Sequence, residues 1–331
     1  MTSNHVRIER ILFPTDFSDF STRALRHALA LARKFKARLK VLHVIPRAMG
    51  PGESLYKTAP GVLNPELRKR IDEEMRRFLA PARQARIDHE VEVSEGDPWR
   101  KILASAEEMP ADLVVMGTHG RSGLERLFLG SVAEKLIRRL PCPVLTVSHE
   151  EGRTWATPGL VSRILCATDF SETSAEALSF ALALAAMNQA EITLLHVVES
   201  VPDFGDAMFP SLPTVTSLRE DQELTAGRRL QQALGDAEGK AARVEVRVAA
   251  GGAYKEILRL AVEDRADLIV IGAQGHGPIE HLLSGSNAQH VIRRATCPVL
   301  TVRRLRIKER SAEARPGGLT LAAPVDQDTR K

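Results

Sequence analysis

Two glycine loops and two aspartates are the residues whose types and spacing could do chemistry. The first loop reads Gly117-x2-Gly120-x9-Gly130-Ser131 and the second Gly272-x2-Gly275-x9-Gly285-Ser286. Glycines let bare backbone approach an anion. Where Gly130-Ser131 opens a helix, free N–H groups and the positive helix end face one spot. Ser131 adds a hydroxyl, and Arg121 and Arg126 could add positive charge. Asp16, in Pro14-Thr15-Asp16-Phe17-Ser18, is matched by Asp169 in Ala167-Thr168-Asp169-Phe170-Ser171. Either carboxylate could accept hydrogen bonds from a sugar hydroxyl or hold a metal ion on phosphates. The chemistry is therefore phosphate and nucleoside binding. The plain alternative makes Gly117 and Gly120 turn residues and Ser131 a helix cap. A lone GxxG would favour that alternative; the same long spacing occurring twice, each time with an aspartate, favours a site. Asp16 could itself cap the next helix, but Ser18 is an equally good cap and leaves Asp16 freer for a ligand.

Other chemistries find less support. A P-loop needs a lysine before the final serine, and neither Ser131 nor Ser286 has one. No Ser-His-Asp arrangement or HExxH is visible. His43 and His196 fall at equivalent strand ends and read as structural. His119 sits between the loop glycines, but its counterpart is Gln274. The ten histidines show no ligand spacing, and His276, His281 and His290 do not share a helix face. Three cysteines, Cys142, Cys166 and Cys297, are too few for a disulfide framework and read as reduced, buried thiols. A net charge of +4 on 331 residues argues against a nucleic-acid partner. No apolar run approaches the roughly 18 residues that span a bilayer, and the N-terminus lacks a signal-peptide layout. The expected location is the cytoplasm.

Behind the motifs stands a repeat. Residues 11–46 reappear at 164–199, offset by 153, and residues 111–147 reappear at 266–302, offset by 155. The chain divides into a first domain, 1–149, a second, 160–305, and a tail, 306–331, whose composition suggests disorder. In copy one, strands are expected at Ile8–Phe13, Arg38–Ile45, His89–Ser94, Leu113–Gly117 and Val144–Ser148. Helices are expected at Ser18–Lys36, Asn64–Arg86, Pro98–Glu108 and Ser131–Leu140. Copy two follows with strands at Ile164–Ala167, Ile192–Val198, Val244–Ala249, Leu268–Gly272 and Val299–Val302, and a helix at Glu172–Asn188. LVVMG and LIVIG are apolar throughout, as strands covered on both faces should be. Strands alternating with helices give an α/β fold: two doubly wound, five-stranded parallel sheets. Ligands of such sheets bind beyond the strands' carboxyl ends, where the winding reverses. The glycine- and proline-rich segment Arg47–Leu63, with its counterpart Ser200–Pro213, is expected to arch over the site as a flap.

Gly117-x2-Gly120-x9-Gly130-Ser131, the Pro14-Thr15-Asp16-Phe17-Ser18 start, the His43-Val44 strand end and the terminal PCPVLTV strand resemble the universal stress protein family. The resemblance runs in two copies from about Arg7 to Arg303. It implies Rossmann-like domains of the adenine nucleotide α-hydrolase type, with strand order 3-2-1-4-5. It also implies an ATP-binding regulator in stress responses and not an enzyme, with ATP, and Mg2+ beside it, as the cofactor. Adenine would lie near Val44 and the nucleoside near Pro14, Thr15 and Asp16. The phosphates would lie on Gly117, Gly120, Arg121, Gly130 and Ser131, with Met116 and Thr118 lining the site. The second site would use Asp169, Val197, Gly272, Gly275, Gly285 and Ser286. There Arg121-Ser122-Gly123 becomes His276-Gly277-Pro278, and Pro278 has no N–H to offer a phosphate. The family associates through last strands, which implies an internal pseudo-dimer or a homodimer. A slow ATPase or autophosphorylating protein, and an interaction module without nucleotide, are the competing functions.

Overall fold

The computed structural model describes residues 7–46, 65–119, 129–148, 161–199, 215–235, 243–273 and 286–303. The expected flaps, the linker and the tail lie outside these residues. Copy one comprises β1 (Arg10–Thr15), α1 (Asp19–Phe35), β2 (Arg38–Pro46), α2 (Pro65–Phe78), α3 (Ala80–Gln84), β3 (His89–Gly96), α4 (Pro98–Glu108), β4 (Leu113–Gly117), α5 (Ser131–Ile137) and β5 (Val144–Val147). Copy two comprises β6 (Arg163–Ala167), α6 (Glu172–Asn188), β7 (Glu191–Val198), α7 (Val215–Leu234), β8 (Arg243–Ala250), α8 (Ala253–Glu263), β9 (Leu268–Gly272), α9 (Ser286–Arg294) and β10 (Val299–Val302).

Local chemistry sets these boundaries. Ser18 caps α1 by accepting the Ser21 N–H, and Lys36 ends it in a left-handed turn. Ser171 and Gln189 do the same for α6. The helix expected over 64–86 is instead two helices, α2 and α3, meeting at Leu79. Pro81 explains the break: it has no N–H to give, and its ring clashes with the preceding turn. Likewise α5 stops at Ile137 and not at Leu140, because Pro141 disfavours helical geometry in the residue before it. Helix α7 was not anticipated. Over its described side chains, 220–234, the buried apolar residues are Ala226, Leu230 and Leu234, a stripe too thin to stand out among charges.

Each copy winds in the order 3-2-1-4-5, and together they form one ten-stranded sheet, β3-β2-β1-β4-β5-β10-β9-β6-β7-β8. All neighbours are parallel except β5 and β10, which pair antiparallel with Leu300 opposite Leu145. That pairing removes two exposed edges. The Thr146 hydroxyl donates to Val299 O at 3.1 Å across it. Side chains beyond the strands bind the copies further. Ser148 donates to Ala295 O at 2.8 Å, at the end of α9, and the Arg303 guanidinium donates to Arg138 O, at the end of α5. One core includes Phe13, Leu39, Leu79, Ile164 and Leu194 and packs under α1–α3, α6 and α7. The other includes Leu12, Leu42, Leu136, Leu165 and Ile269 and packs under α4, α5, α8 and α9. Each runs through both copies.

Candidate functional site

In copy one, β1 pairs with β2 on one side and β4 on the other, so the winding reverses between β1 and β4. Asp16 leaves β1 at this point. Its Oδ1 accepts the Ser18 N–H at 3.1 Å and the Ser21 hydroxyl at 2.7 Å. Ser18 does cap α1, but Asp16 is not thereby released: one carboxylate oxygen is committed to the first turn of the helix. Asp169 is held similarly, its Oδ1 accepting the Ser171 N–H at 3.0 Å and the Ser171 hydroxyl at 2.6 Å. The sequence reading missed Ser21, although a serine recurs at the same place, Ser174.

Phe17 follows Asp16 with φ of 62°, and Phe170 follows Asp169 with φ of 63°. A left-handed turn is strained for a bulky residue. Its restraints are the same in both copies. The Phe17 N–H donates to Thr15 Oγ1 at 3.0 Å, and the Phe170 N–H donates to Thr168 Oγ1 at 3.0 Å. The Phe17 ring lies 4.5 Å from the His43 ring, and Phe170 4.4 Å from His196. His43 Nδ1 is 2.8 Å from Thr15 O, and His196 Nδ1 is 2.8 Å from Thr168 O. A carbonyl only accepts, so Nδ1 bears the proton in each ring. Both histidines have a structural task.

Val44 and Met116 approach from the strands flanking β1, and both are buried in the core beneath α4 and α5. Pro14 and Thr15 are buried at the end of β1. Gly117 is a close-approach glycine: a Cβ there would stand 2.8 Å from Phe20 Cβ. Gly130 closes the loop, its N–H donating to Thr118 O at 2.9 Å. Loop closure thus uses this N–H. The helical ladder begins with the Glu134 N–H on Gly130 O at 2.9 Å, so the N–H groups of Ser131, Val132 and Ala133 lie ahead of it. Gly130, not Ser131, occupies the cap position, and Ser131 is exposed. Thr118 is buried and donates its N–H to Val147 O at 3.0 Å. Its hydroxyl lies 2.9 Å from His119 Nδ1, and the His119 ring packs 5.0 Å from Phe20. Gly120 and Arg121 lie outside the described residues.

In copy two, Asp169 lies two residues beyond β6, Val197 is the last residue but one of β7, Gly272 ends β9, and Ser286 begins α9. Gly275 and Gly285 lie outside the described residues. A Cβ on Gly272 would stand 3.0 Å from both Ser174 N and Thr173 Oγ1.

The family model for the universal stress proteins, "Universal stress protein family", matches residues 7–148 and again 161–303. The chain belongs to the universal stress protein family. A universal stress protein of Methanocaldococcus jannaschii is 36% identical over 142 residues, covering 42% of this chain and 81% of that protein. A Synechocystis universal stress protein is 27% identical over 317 residues, covering 89% of this chain and 100% of that protein. The crystal structure of an Archaeoglobus fulgidus universal stress protein superposes with a TM-score of 0.62 at 26% identity, covering 91% of this chain and 98% of that one.

Elsewhere in this universal stress protein, a cavity of about 360 Å3 opens at the opposite end of the copy-two strands. There Arg247 is already bound to Glu245 at 2.6 Å and Asp264 at 2.9 Å. Among the described residues no three His, Cys, Asp or Glu side chains group as a metal site, and no helix is long and apolar enough to cross a membrane. Cys142, Cys166 and Cys297 are buried free thiols, and burial pushes each up to about 12. Reactivity belongs to the thiolate. Native protein at pH 8 is therefore expected to resist iodoacetamide at all three, and to take three labels after denaturation. Mass spectrometry counts them; rapid native labelling would contradict the burial.

Proposed function

We propose that copy one of this chain binds an adenine nucleotide, ATP, at the carboxyl ends of β1, β2 and β4, and that the protein works as a cytoplasmic, nucleotide-dependent regulator in stress responses. The observation that supports this is the convergence of Asp16, Val44, Met116, Gly117, Gly130 and Ser131 on the winding reversal. Val44 and Met116 supply apolar walls for adenine. Asp16, oriented by Ser18 and Ser21, stands where a ribose hydroxyl would donate to it. The opening turn of α5, with Ser131, would meet the phosphates, to which the family pattern also assigns Gly120 and Arg121; Pro14 and Thr15 belong to the nucleoside side, and Thr118 lines the site beside Met116. The close packing at Gly117 and Gly130 keeps side-chain bulk out of the cradle. Mg2+ would accompany the phosphates and not sit in a protein cage. Asp169, Val197, Gly272, Gly275, Gly285 and Ser286 form the weaker second site, impaired by Pro278. The two domains are 1–149 and 160–305. The β5–β10 pairing within the chain takes the edges that a last-strand homodimer would use.

The test is co-purified nucleotide. Purified protein is denatured and the supernatant separated by chromatography with mass detection. One ATP per chain is expected in wild type and in Gly285→Val, and none in Gly130→Val. Asp16→Ala is expected to weaken rebinding by roughly ten- to a hundredfold, the worth of a charge-assisted hydrogen bond. Wild type without nucleotide, and without binding when ATP is returned, would sink the reading.

A further inference from the structure

At the start of α4, three cations lie over one indole ring. Arg100 is 5.2 Å from the centre of the Trp99 ring, Lys135 of α5 is 5.6 Å from it, and Arg139, just past α5, is 4.8 Å from it. Trp99 is half-buried and packs on the core beneath α4 and α5. Arg100, Lys135 and Arg139 are exposed, as is Lys101 beside them. Carboxylates do not balance this charge. Glu134 turns to Arg138 at 2.7 Å, and Asp97 lies 3.6 Å from Arg100. Among the described residues, Lys135 and Arg139 make no ion pair.

Helix stability does not account for these cations. The opening of a helix favours acidic side chains, because its free N–H groups form the positive end. The first turn of α4 has no acidic residue, and Arg100 and Lys101 stand at its opening instead. Copy two follows the rule. Tyr254 and Lys255 repeat Trp99 and Arg100, but Glu256 replaces Lys101 and binds Arg259 at 2.9 Å. His290 replaces Lys135 and stacks on Tyr254 at 4.5 Å. The aromatic residue is common to both copies, and the excess charge belongs to copy one. A cation over an exposed ring is held weakly, and its hydrogen bond to a carboxylate is stronger. These side chains are therefore available to an anionic partner. Three cations over the indole leave no bare face for a base, and single-stranded nucleic acid binds by such stacking. Glu107 and Glu108, exposed about 12 Å further along α4, would repel a long polyanion or an anionic bilayer. The positive stretch fits a short run of carboxylates.

We propose that the surface formed by Trp99, Arg100, Lys135 and Arg139 docks an acidic segment of a partner protein, a run of Asp or Glu about four extended residues long. Its carboxylates take hydrogen bonds from Lys135, Arg139 and Arg100, and its chain lies along the half-buried indole. The docking surface belongs to copy one and does not depend on nucleotide binding.

The experiment uses the full chain and a tetraglutamate peptide. The peptide labelled with fluorescein is followed by anisotropy. The unlabelled peptide is followed by Trp99 emission in a Trp155→Phe background, which removes the chain's other tryptophan. Both signals are expected to saturate together and to weaken as salt rises. Lys135→Glu/Arg139→Glu is expected to weaken binding by roughly tenfold or more, and Lys135→Gln/Arg139→Gln by a smaller factor. Both variants should keep the wild-type melting temperature, because the replaced side chains are exposed. Arg76→Glu/Arg77→Glu, exposed on α2 over the opposite core, should bind as wild type does. A wild type without saturable binding overturns the proposal, and so does an equal loss in the α2 variant. Tighter binding of an oligothymidylate or of phosphatidylserine vesicles also overturns it, in favour of a phosphate polyanion.

Discussion

Lowering the pH from 7 to 4 is expected to cost this fold about 3 kcal/mol through His27 alone. His27 lies inside α1 with 2% of its surface exposed. Burial, and secondarily the charge of Arg26, pushes its pKa from 6.5 down to about 4. The folded protein thus resists a proton that the unfolded chain accepts. In the window between 6.5 and 4 the unfolded state binds more protons, so stability falls as pH falls. It is complete above 6.5, lower by about 2 kcal/mol at pH 5, and the loss levels off below 4. Copy two holds Phe180 at the equivalent position, also buried, which shows that an apolar ring suits this place in the fold. His27→Phe should therefore remove the term without opening a cavity. Urea midpoints at pH 7, 5 and 4 would check it. Wild type should lose more with acid than the variant, the carboxylates being common to both. Equal pH dependence in the two would show that His27 takes its proton in the native state.

The elements that the sequence exposed most clearly are those with a redundant signal. Strands β4 and β9 are apolar at every position and bounded by Asp and Gly, and α1 and α6 carry a serine cap before a helical apolar stripe. Their repeat at a fixed offset exposed the two copies, whereas the strand order 3-2-1-4-5 came from the family resemblance and not from the repeat. Boundaries failed where a single proline decides, at Pro81 and Pro141, and α7 failed because three buried apolar residues among its described side chains, 220–234, give little contrast. The candidate site was legible as a set of residue types, but not in its internal bonding. Asp16 reads as a ligand group from its position. That Ser21 reaches back five residues to hold it, and that Gly130 spends its N–H on Thr118, depend on how the turns fold. A left-handed phenylalanine cannot be foreseen from a Thr-Asp-Phe-Ser string, since nothing in phenylalanine favours it. The Thr hydroxyl and the His ring from the next strand impose it together.

Gly117→Ala is expected to destabilise the protein by about 2–3 kcal/mol, and Gly272→Ala by about 1, even though the two glycines are equivalent by repeat. Neither needs a positive φ; what each needs is room. At Gly117 the new methyl would meet Phe20 Cβ at 2.8 Å and the Phe20 carbonyl carbon at 3.1 Å. Both belong to the rigid first turn of α1, whose Ser18 cap and Asp16 bonds oppose any retreat. The strand or the helix must shift, and β4 is buried on both faces. At Gly272 the nearest atoms are Thr173 Oγ1 and Ser174 N, both at 3.0 Å. A hydroxyl can turn away, although the backbone contacts would still be tight. Because α1 also carries the turn that holds Asp16, the shift at Gly117 should reach the candidate site, and the one at Gly272 should leave copy one untouched. Urea midpoints for both variants, taken with ATP titrations, separate these effects. Gly117→Ala should lower both midpoint and affinity, and Gly272→Ala should lower the midpoint slightly and leave affinity unchanged. If Gly117→Ala kept the wild-type midpoint and lost ATP alone, the glycine would be there for the ligand and not for packing against Phe20.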